Sequence, residues 1–394
     1  MKLLSRIYFG VQRMLVPVLN EEMGPLSDKA KHFVAVCEVL RPESFLRSCE
    51  WRGNGRKPKS RAAIARAFLA KALWNFPTTR ALIDRLRSDT CLRRLCGWDN
   101  GPGDVPDEAT FSRAFATFAR MGFGEAVHEA IVTTHLGKAI IEHSATDVTA
   151  IEAREKAHRA ADAAAAPAPA EARPSPTPPP DEPGSEPAPT TTGHKRKRGR
   201  PRKGAEPPPP PEPKRLERHL INSLATNLLD MPAVRCTHGC KKNAKGHTDH
   251  WMGYKLHLST GDGGIPLCAY LSSASLHDSQ AAIILQQSVG QRTGAVFYDL
   301  MDAAYDAAAI KAHSRAQGSV PIIDANKRNG TTPPPMEPDR ARRYQARSSA
   351  ERSNSDLKDN HGGRSVRVRG AAKVMTHLMF GIVVMTAEAL IRLL

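Results

Sequence analysis

The chain has 394 residues, with 57 lysines and arginines against 40 aspartates and glutamates, which gives a formal net charge of +17. A length of this order allows two or three domains of ~100–200 residues. A strongly basic composition is typical of proteins that bind a polyanion, most often nucleic acid. Seven cysteines without a Cys-x-x-Cys pair favour a reducing compartment. Arg6 and Arg13 interrupt the apolar N-terminal run, so we expect no secretion signal.

The first part of the chain predicts an all-helical domain over residues 1–135. Residues 61–76 and 107–118 both place apolar side chains at helical spacing. Several basic residues precede the first of these helices, among them Arg56 and Lys59. They are consistent with a surface that contacts DNA phosphates, and an ordinary solvated loop fits them equally well.

Composition changes most sharply over residues 157–213. This segment holds 17 of the 31 prolines and no aromatic residue, so it cannot bury enough apolar surface to offset its chain entropy. We therefore predict a disordered insert. Its basic run, residues 195–203, resembles an AT-hook, in which arginines such as Arg198, Arg200 and Arg202 lie in a narrow A·T minor groove. A localisation signal or a plain electrostatic tail would look similar.

Residues 136–156 and 214–394 lie on either side of the insert. There the alternation of polar and apolar side chains changes to the two-residue period typical of strands. Residues 254–258 alternate polar and apolar side chains and lead into a glycine-rich turn. Residues 295–300 and 320–323 predict two further strands with a helix between them. Strands and helices mixed in this way predict an α/β fold that the insert interrupts.

The C-terminal residues 374–394 are long and apolar enough to raise the question of a membrane span. They contain His377, Glu388 and Arg392, however, and they follow a dense arginine cluster. Charged groups are rare within membrane spans. A buried helix is therefore the better interpretation.

One window carries a specific pattern. Tyr344, Arg347, Glu351 and Lys358 stand in the spacing Y-x2-R-x3-E-x6-K. At ~100° per residue, all four side chains fall on one narrow face of a helix. A carboxylate beside two cations and a phenol suits a site that holds a metal ion and binds phosphates next to it. A solvated basic helix with internal ion pairs is the alternative that this window alone leaves open.

Two aspartates extend this pattern. Asp147 follows a further predicted strand that begins with the short apolar run at 139–141, and Asp302 follows the strand at 295–300. Two strand-end aspartates and a helical glutamate are what a two-Mg²⁺ phosphoryl-transfer site requires, because hard cations prefer carboxylate oxygens on rigid supports. Strand-end aspartates are also frequent helix caps. The ordered set of three is therefore more informative than any single member.

These residues resemble those of a known family, the bacterial insertion-sequence transposases of the DDE type with the Y-R-E-K signature. The similarity covers most of the chain, including residues 106–113, 147–155, 251–257 and 275–279 and the helix that carries the signature. The resemblance implies an RNase H-like catalytic domain, with a mixed sheet and helices. It also implies that the preceding all-α domain binds DNA.

The resemblance further implies residue roles and partners. Asp147, Asp302 and Glu351 would ligate divalent cations, Mg²⁺ or Mn²⁺, as two ions. The three other signature residues would hold phosphates of the transposon end. The implied partners are double-stranded DNA, as terminal inverted repeats and as target, and at least a second copy of the chain in the reaction complex. The implied location is the cytoplasm, at the nucleoid, without membrane association.

The function predicted from these features is metal-dependent cleavage of DNA at transposon ends, followed by strand transfer into target DNA. The main alternative is a catalytically inactive, transposase-derived protein that only binds DNA. A third hypothesis is a nuclease of the same fold that cleaves without joining. The ordered acidic set favours an enzyme, because a protein that only binds DNA has no reason to retain it.

Overall fold

The structure is a computed structural model, and it describes residues 2–49, 51, 53, 58–157, 212–242, 246–327 and 334–394. Nearly all of the predicted insert lies outside the described residues. So do Arg198, Arg200 and Arg202 of its basic run, and Arg56 of the basic segment before the first predicted helix. The described residues of 1–158 and 215–394 form one compact unit.

Helices occupy most of the described chain before the first strand, as predicted. They are α1 (Lys2–Gly10), α2 (Val16–Met23), α3 (Asp28–Leu40), α4 (Arg61–Leu73), α5 (Thr79–Ser88), α6 (Thr90–Cys96), α7 (Glu108–Met121) and α8 (Phe123–Leu136). Short polar side chains begin several of them. Ser60, Thr78 and Asp107 each accept a hydrogen bond from the backbone N–H three residues on, which satisfies a donor that the first turn leaves free.

The remainder of the chain forms a mixed six-stranded sheet with helices. Its strands are β1 (Ile140–Glu152), β2 (Thr237–Lys242), β3 (Thr248–Thr260), β4 (Pro266–Ser273), β5 (Ala295–Met301) and β6 (Val320–Ile323). The order is β2-β3-β1-β5-β6, and β4 also pairs with β3. β1 is antiparallel to β3 and parallel to β5, which is parallel to β6. This arrangement fits the RNase H-like fold expected from the sequence.

The helices of this second part are α9 (Arg215–Ile221), α10 (Leu224–Asp230), α11 (Ala282–Arg292), α12 (Ala308–Ala316), α13 (Pro338–Tyr344), α14 (Ser348–Asn360) and α15 (Ala371–Arg392). Among the described residues, α15 is the one helix long and apolar enough to cross a membrane. Most of its length is buried in the protein. The prediction of a buried C-terminal helix is therefore confirmed.

The C-terminal helix α15 completes the core of the N-terminal helices. The ring of Phe380, on α15, lies with its centroid 5.3–6.2 Å from those of Phe68, Phe115, Phe118 and Phe123. All five rings are buried. α15 also packs against β4 of the sheet. The helical part and the sheet consequently share one continuous hydrophobic core.

Candidate active site

The register of two parallel strands brings the two predicted aspartates together. β1 and β5 pair in parallel as far as Ala145 with Leu300, and Asp147 and Asp302 each stand two residues beyond that pair. Because side chains alternate along extended backbone, both carboxylates emerge on the face of the sheet that Ala145 and Leu300 share. Asp147 lies within β1, which continues to Glu152 along β3. The prediction that Asp147 follows the end of the strand is therefore wrong.

The helix bearing Glu351 also differs from the prediction. The signature does not occupy one uninterrupted α-helix, because a 3₁₀ turn, Gln345–Arg347, separates α13 from α14. Such a turn has ~3 residues per turn, so three residues rotate Tyr344 by about 60° relative to a continuous α-helix. Two serines follow the turn, and serine favours helix termini over helix interiors. Arg347 nevertheless reaches Glu351, one turn further on.

The guanidinium of Arg347 is the point at which the three acidic residues meet. Its Nη2 donates a hydrogen bond to Oδ1 of Asp147 at 3.1 Å and lies 3.7 Å from Oδ2 of Asp302. Its Nη1 donates to Oε1 of Glu351 at 2.6 Å. The Arg347 side chain is only 15% exposed. Three carboxylates that are distant in sequence thus surround a single, largely buried cation.

Asn354 belongs to the same cluster, although the signature does not include it. Its Nδ2 donates a hydrogen bond to Oδ2 of Asp147 at 2.9 Å. The buried Oδ1 of Asn354 has no hydrogen-bond partner in the described part of the chain. Asn354 follows Arg347 by seven residues, or about two helical turns, so helical spacing contained the signal that places it here. Asp147 is held by Arg347 on one oxygen and by Asn354 on the other.

Burial shapes the ionisation of the site. It raises the pKa of Asp147 above its usual value, while the charges of Arg347 and Lys241 and the Asn354 hydrogen bond act in the opposite direction. Burial also raises the pKa of Tyr344 to about 12, and the Arg347 guanidinium carbon lies 6.0 Å from the centre of its ring. Tyr344 therefore keeps its proton at neutral pH and can donate a hydrogen bond.

Lys358 lies apart from the acidic cluster. It follows Glu351 by seven residues on α14, a rise of about 10 Å. Burial lowers its pKa, and the nearby Arg364 acts in the same direction, while Glu152 at the end of β1 raises it. Lys358 therefore extends the site along the helix and does not complete the acidic cluster.

Two other aspartates close to Asp302 have different surroundings. Asp299 is buried and accepts a hydrogen bond from Nε2 of Gln286 at 3.3 Å. Burial raises the pKa of Asp299 to about 6. Asp306 accepts hydrogen bonds from Lys311 and from the backbone N–H of Asn326. In the described structure, Asp302 is the member of this group that lies in ion-pair contact with Arg347.

The donor set suits a hard divalent cation. Three carboxylates and the unpaired amide oxygen of Asn354 are oxygen ligands of the kind that Mg²⁺ and Mn²⁺ prefer. Within the described residues, no group of three or more His, Cys, Asp or Glu side chains is arranged to hold a metal ion, because the carboxylates are directed at Arg347. The ligand chemistry fits a metal site in which the ion would replace the guanidinium as counter-charge.

Two regions of the chain match known protein families. Residues 226–386 match a family described as "Transposase DDE domain", and residues 24–117 match one described as "Transposase domain (DUF772)". The first match includes Asp302 and the whole signature, whereas Asp147 lies outside both matches. No curated protein and no solved structure was found to match the chain.

Both matches are to transposase domains, and they support a transposase function. More particularly, the two matches support a transposase of the DDE type from an insertion sequence.

Proposed function

We propose that this protein cleaves DNA strands at the ends of its insertion sequence and joins those ends to target DNA. The observation that carries the proposal is the meeting of Asp147, Asp302 and Glu351 at the guanidinium of Arg347. A protein that only binds DNA gains nothing from three carboxylates gathered at one point, because they repel the phosphate backbone.

The three carboxylates would hold one or two divalent cations, Mg²⁺ or Mn²⁺. Bound ions of this kind activate water and stabilise the charge that develops on the attacking and leaving oxygens. The chain itself fixes the orientation of the ligands. Asp147 lies on β1, which pairs with a strand on each side. Asn354 donates a hydrogen bond to one of its carboxylate oxygens, and hydrogen bonds of this kind orient the ligands in metal sites.

The remaining signature residues would bind phosphates around the cleaved strand. Arg347 presents five N–H donors in a planar fork that matches phosphate oxygens. The protonated hydroxyl of Tyr344 provides a further donor beside it. Lys358 would neutralise a phosphate further along the strand. The acidic cluster would thus be bordered by donors that hold the DNA in position.

The partners follow from this chemistry. Double-stranded DNA would be bound at the terminal inverted repeats and at the target site, in the cytoplasm at the nucleoid. Pairing two ends requires at least two copies of the chain.

Arg198, Arg200 and Arg202 lie outside the described residues. For them we retain the proposal that they bind an A·T-rich minor groove. Excision of residues 160–212 should then reduce the salt dependence of DNA binding and leave cleavage at saturating DNA intact.

The decisive experiment incubates the protein with linear DNA that spans the flanks of its own gene, with Mg²⁺ or Mn²⁺. Cuts and joined products are mapped to the nucleotide. Our proposal requires cuts at two fixed positions together with joined products. Footprints without cuts would establish the DNA-binding alternative, and cuts without joined products would establish a nuclease. The Glu351→Gln variant, prepared in parallel, shows that any cleavage comes from this protein.

A further inference from the structure

A second cationic site lies away from the acidic cluster. It is a cavity of about 740 Å³ between α4, α5 and α7 on one side and the end of β1, the segment 365–369 and the start of α15 on the other. We call it the basic cleft. The lysines and arginines among its lining residues are Lys71, Arg80, Arg154, Arg367, Arg369 and Lys373. Glu108 is the one carboxylate that lines it.

Lys71 is the least expected residue in the basic cleft. It is 8% exposed, and no carboxylate in the described structure pairs with it. Burial lowers its pKa to about 8, and the neighbouring charge of Arg367 acts in the same direction. His377, which also lines the cleft, supplies no negative charge, and burial lowers its pKa to about 4. A buried cation beside a second cation is costly unless an anion is present between or beside them.

The cations opposite Lys71 are held in place by the sheet. Glu155, just beyond β1, accepts a hydrogen bond from the hydroxyl of Tyr254. Its other oxygen accepts the backbone N–H of Gly370 at 3.0 Å. This contact ties the segment bearing Arg367 and Arg369 to the end of β1. The backbone that carries these two arginines is therefore held beside the end of β1.

β1 also sets the separation between the basic cleft and the acidic cluster. Asp147 and Arg154 are seven residues apart, which at ~3.3 Å per residue is at most about 23 Å. Lys358 lies near Glu152, along this path. One strand of duplex DNA advances ~3.4 Å per nucleotide, so this separation corresponds to at most about seven base pairs.

We propose that the basic cleft binds the phosphate backbone of duplex DNA, at most about seven base pairs from the phosphate held at Asp147, Asp302 and Glu351. This inference rests on the proposed function and specifies how the DNA lies on the protein. Among the described lining residues, six cations against one carboxylate match a polyanion. Lys71, which is buried beside the exposed Arg367, provides the point at which one phosphate would be bound. The exposed arginines at the edge of the cleft would contact the adjacent phosphates of the same DNA strand.

The test compares salt-titrated binding of a duplex by the full-length protein and by the double variant Arg367→Gln/Arg369→Gln. Both arginines are exposed, so the fold should survive. Each lost phosphate contact reduces the slope of log K against log salt by ~0.9. We expect the slope to fall by about 1–2 and the affinity at low salt to fall about tenfold. The control, Arg120→Gln/Arg315→Gln, removes two exposed charges outside the cleft and should match the wild type.

Duplex length gives a second measurement. Once the cut position is mapped, a duplex that extends only ~1 base pair beyond it on the cleft side is too short to reach the cleft. Wild type and cleft variant should bind it equally, and they should differ on a duplex with ~12 base pairs. Thermal unfolding with each ligand completes the test. If inorganic phosphate raised the Tm of the protein as much as the duplex does, the cleft would be a site for a small anion and the proposal would be overturned.

The inference and the proposed function can fail separately. Equal salt slopes for wild type and cleft variant, with cleavage still observed, would overturn the role of the cleft and leave the proposed function standing. Footprints without cuts, with a reduced salt slope in the variant, would overturn the proposed function and support the cleft as a DNA-binding surface.

Discussion

The guanidinium of Arg347 donates a hydrogen bond to the carboxylate of Asp147 at 3.1 Å, although the two residues stand 200 positions apart in the chain. The same guanidinium is in contact with Glu351 and Asp302. Carboxylates gathered this closely raise one another's pKa values unless a cation stands among them. Arg347 supplies that cation from within the chain.

Replacement of Arg347 should make the thermal stability of the protein depend on bound divalent metal ions. Arg347→Met leaves Asp147 largely buried without its partner, and breaking such a pair costs about 3–5 kcal/mol. We expect a lower Tm in EDTA and a larger rise in Tm with Mn²⁺ than the wild type shows. Thermal unfolding with and without Mn²⁺ measures both effects. Arg342→Met, which removes an exposed arginine on α13, is the control. An identical response to Mn²⁺ in wild type and Arg347→Met would contradict the counter-ion role.

Glu351→Gln should abolish strand cleavage while leaving DNA binding nearly unchanged. The glutamine keeps the shape of the side chain on α14 and removes one charged ligand. Because we propose that the three acidic residues act as a unit, the loss should be about a thousandfold or more, and Asp147→Asn should add little to it. Cleavage rates and gel-shift affinities are measured together. Glu337→Gln, an exposed glutamate before α13, should cleave normally. A cleaving Glu351→Gln protein would place the third ligand elsewhere.

Replacement of Asp302 and replacement of Asp299 should affect different properties, DNA cleavage in the first case and the pH dependence of stability in the second. Asp302→Asn should abolish cleavage without a large change in stability. Asp299→Asn should retain cleavage and alter the pH dependence of unfolding. Since burial raises the folded pKa of Asp299 to about 6, the folded state binds more protons between pH ~4 and 6, and stability decreases as pH rises through that window. The asparagine variant should lack this contribution. Loss of cleavage in Asp299→Asn with Asp302→Asn still active would reverse the assignment.

Lys71→Met should stabilise the DNA-free protein and weaken its binding to DNA. The pKa of Lys71 falls to about 8 from its ordinary value of 10.5 on folding. The folded state therefore binds fewer protons between these values, and the stability of the DNA-free protein rises with pH across that window. Below pH 8 the full cost, about 3 kcal/mol, is present. The methionine variant should show a higher Tm at pH 7 and no such rise. A higher Tm with unchanged DNA affinity would remove Lys71 from the DNA contact.

Phe380→Ala should destabilise the whole chain by about 3–5 kcal/mol, the usual cost of removing a buried phenylalanine. The reason is that four phenylalanines of the N-terminal helices pack around its ring. Chemical denaturation measures the change, with Phe297→Ala on the exposed surface of β5 as control. For the same reason, residues 28–135 expressed alone should not unfold cooperatively. A sharp unfolding transition in that fragment would show that α15 is dispensable.

The sequence predicted the N-terminal helices because their periodicity and their capping residues are local signals. It did not predict the length of β1. Ser144 and Thr146 are buried in that strand, and Thr146 pairs with Ser259 through hydroxyl oxygens 2.8 Å apart. Buried polar side chains of this kind remove the apolar alternation by which strands are recognised. Asp147 was therefore expected after a strand that in fact continues past it.

The acidic cluster could be predicted in part from the sequence, whereas the basic cleft could not. Helical spacing along the sequence predicted that Arg347 and Glu351 lie together, and the same spacing also indicates Asn354, although Arg347 lies in the turn before α14. The cleft depends on Lys71 and Arg367, which stand almost 300 positions apart in unrelated local patterns. A contact of this type is set by the packing of α15, so it is visible only in three dimensions.

The position of Phe380 has a consequence for the order in which the chain is made. The N-terminal helices emerge from the ribosome first, but the ring at the centre of their core is translated some 250 residues after the last phenylalanine that surrounds it. At ~5–20 residues per second, these helices wait tens of seconds for their partner. Arg367 and Arg369 are translated in the same late interval. A chain whose synthesis stops early therefore has neither a closed core nor a complete cleft.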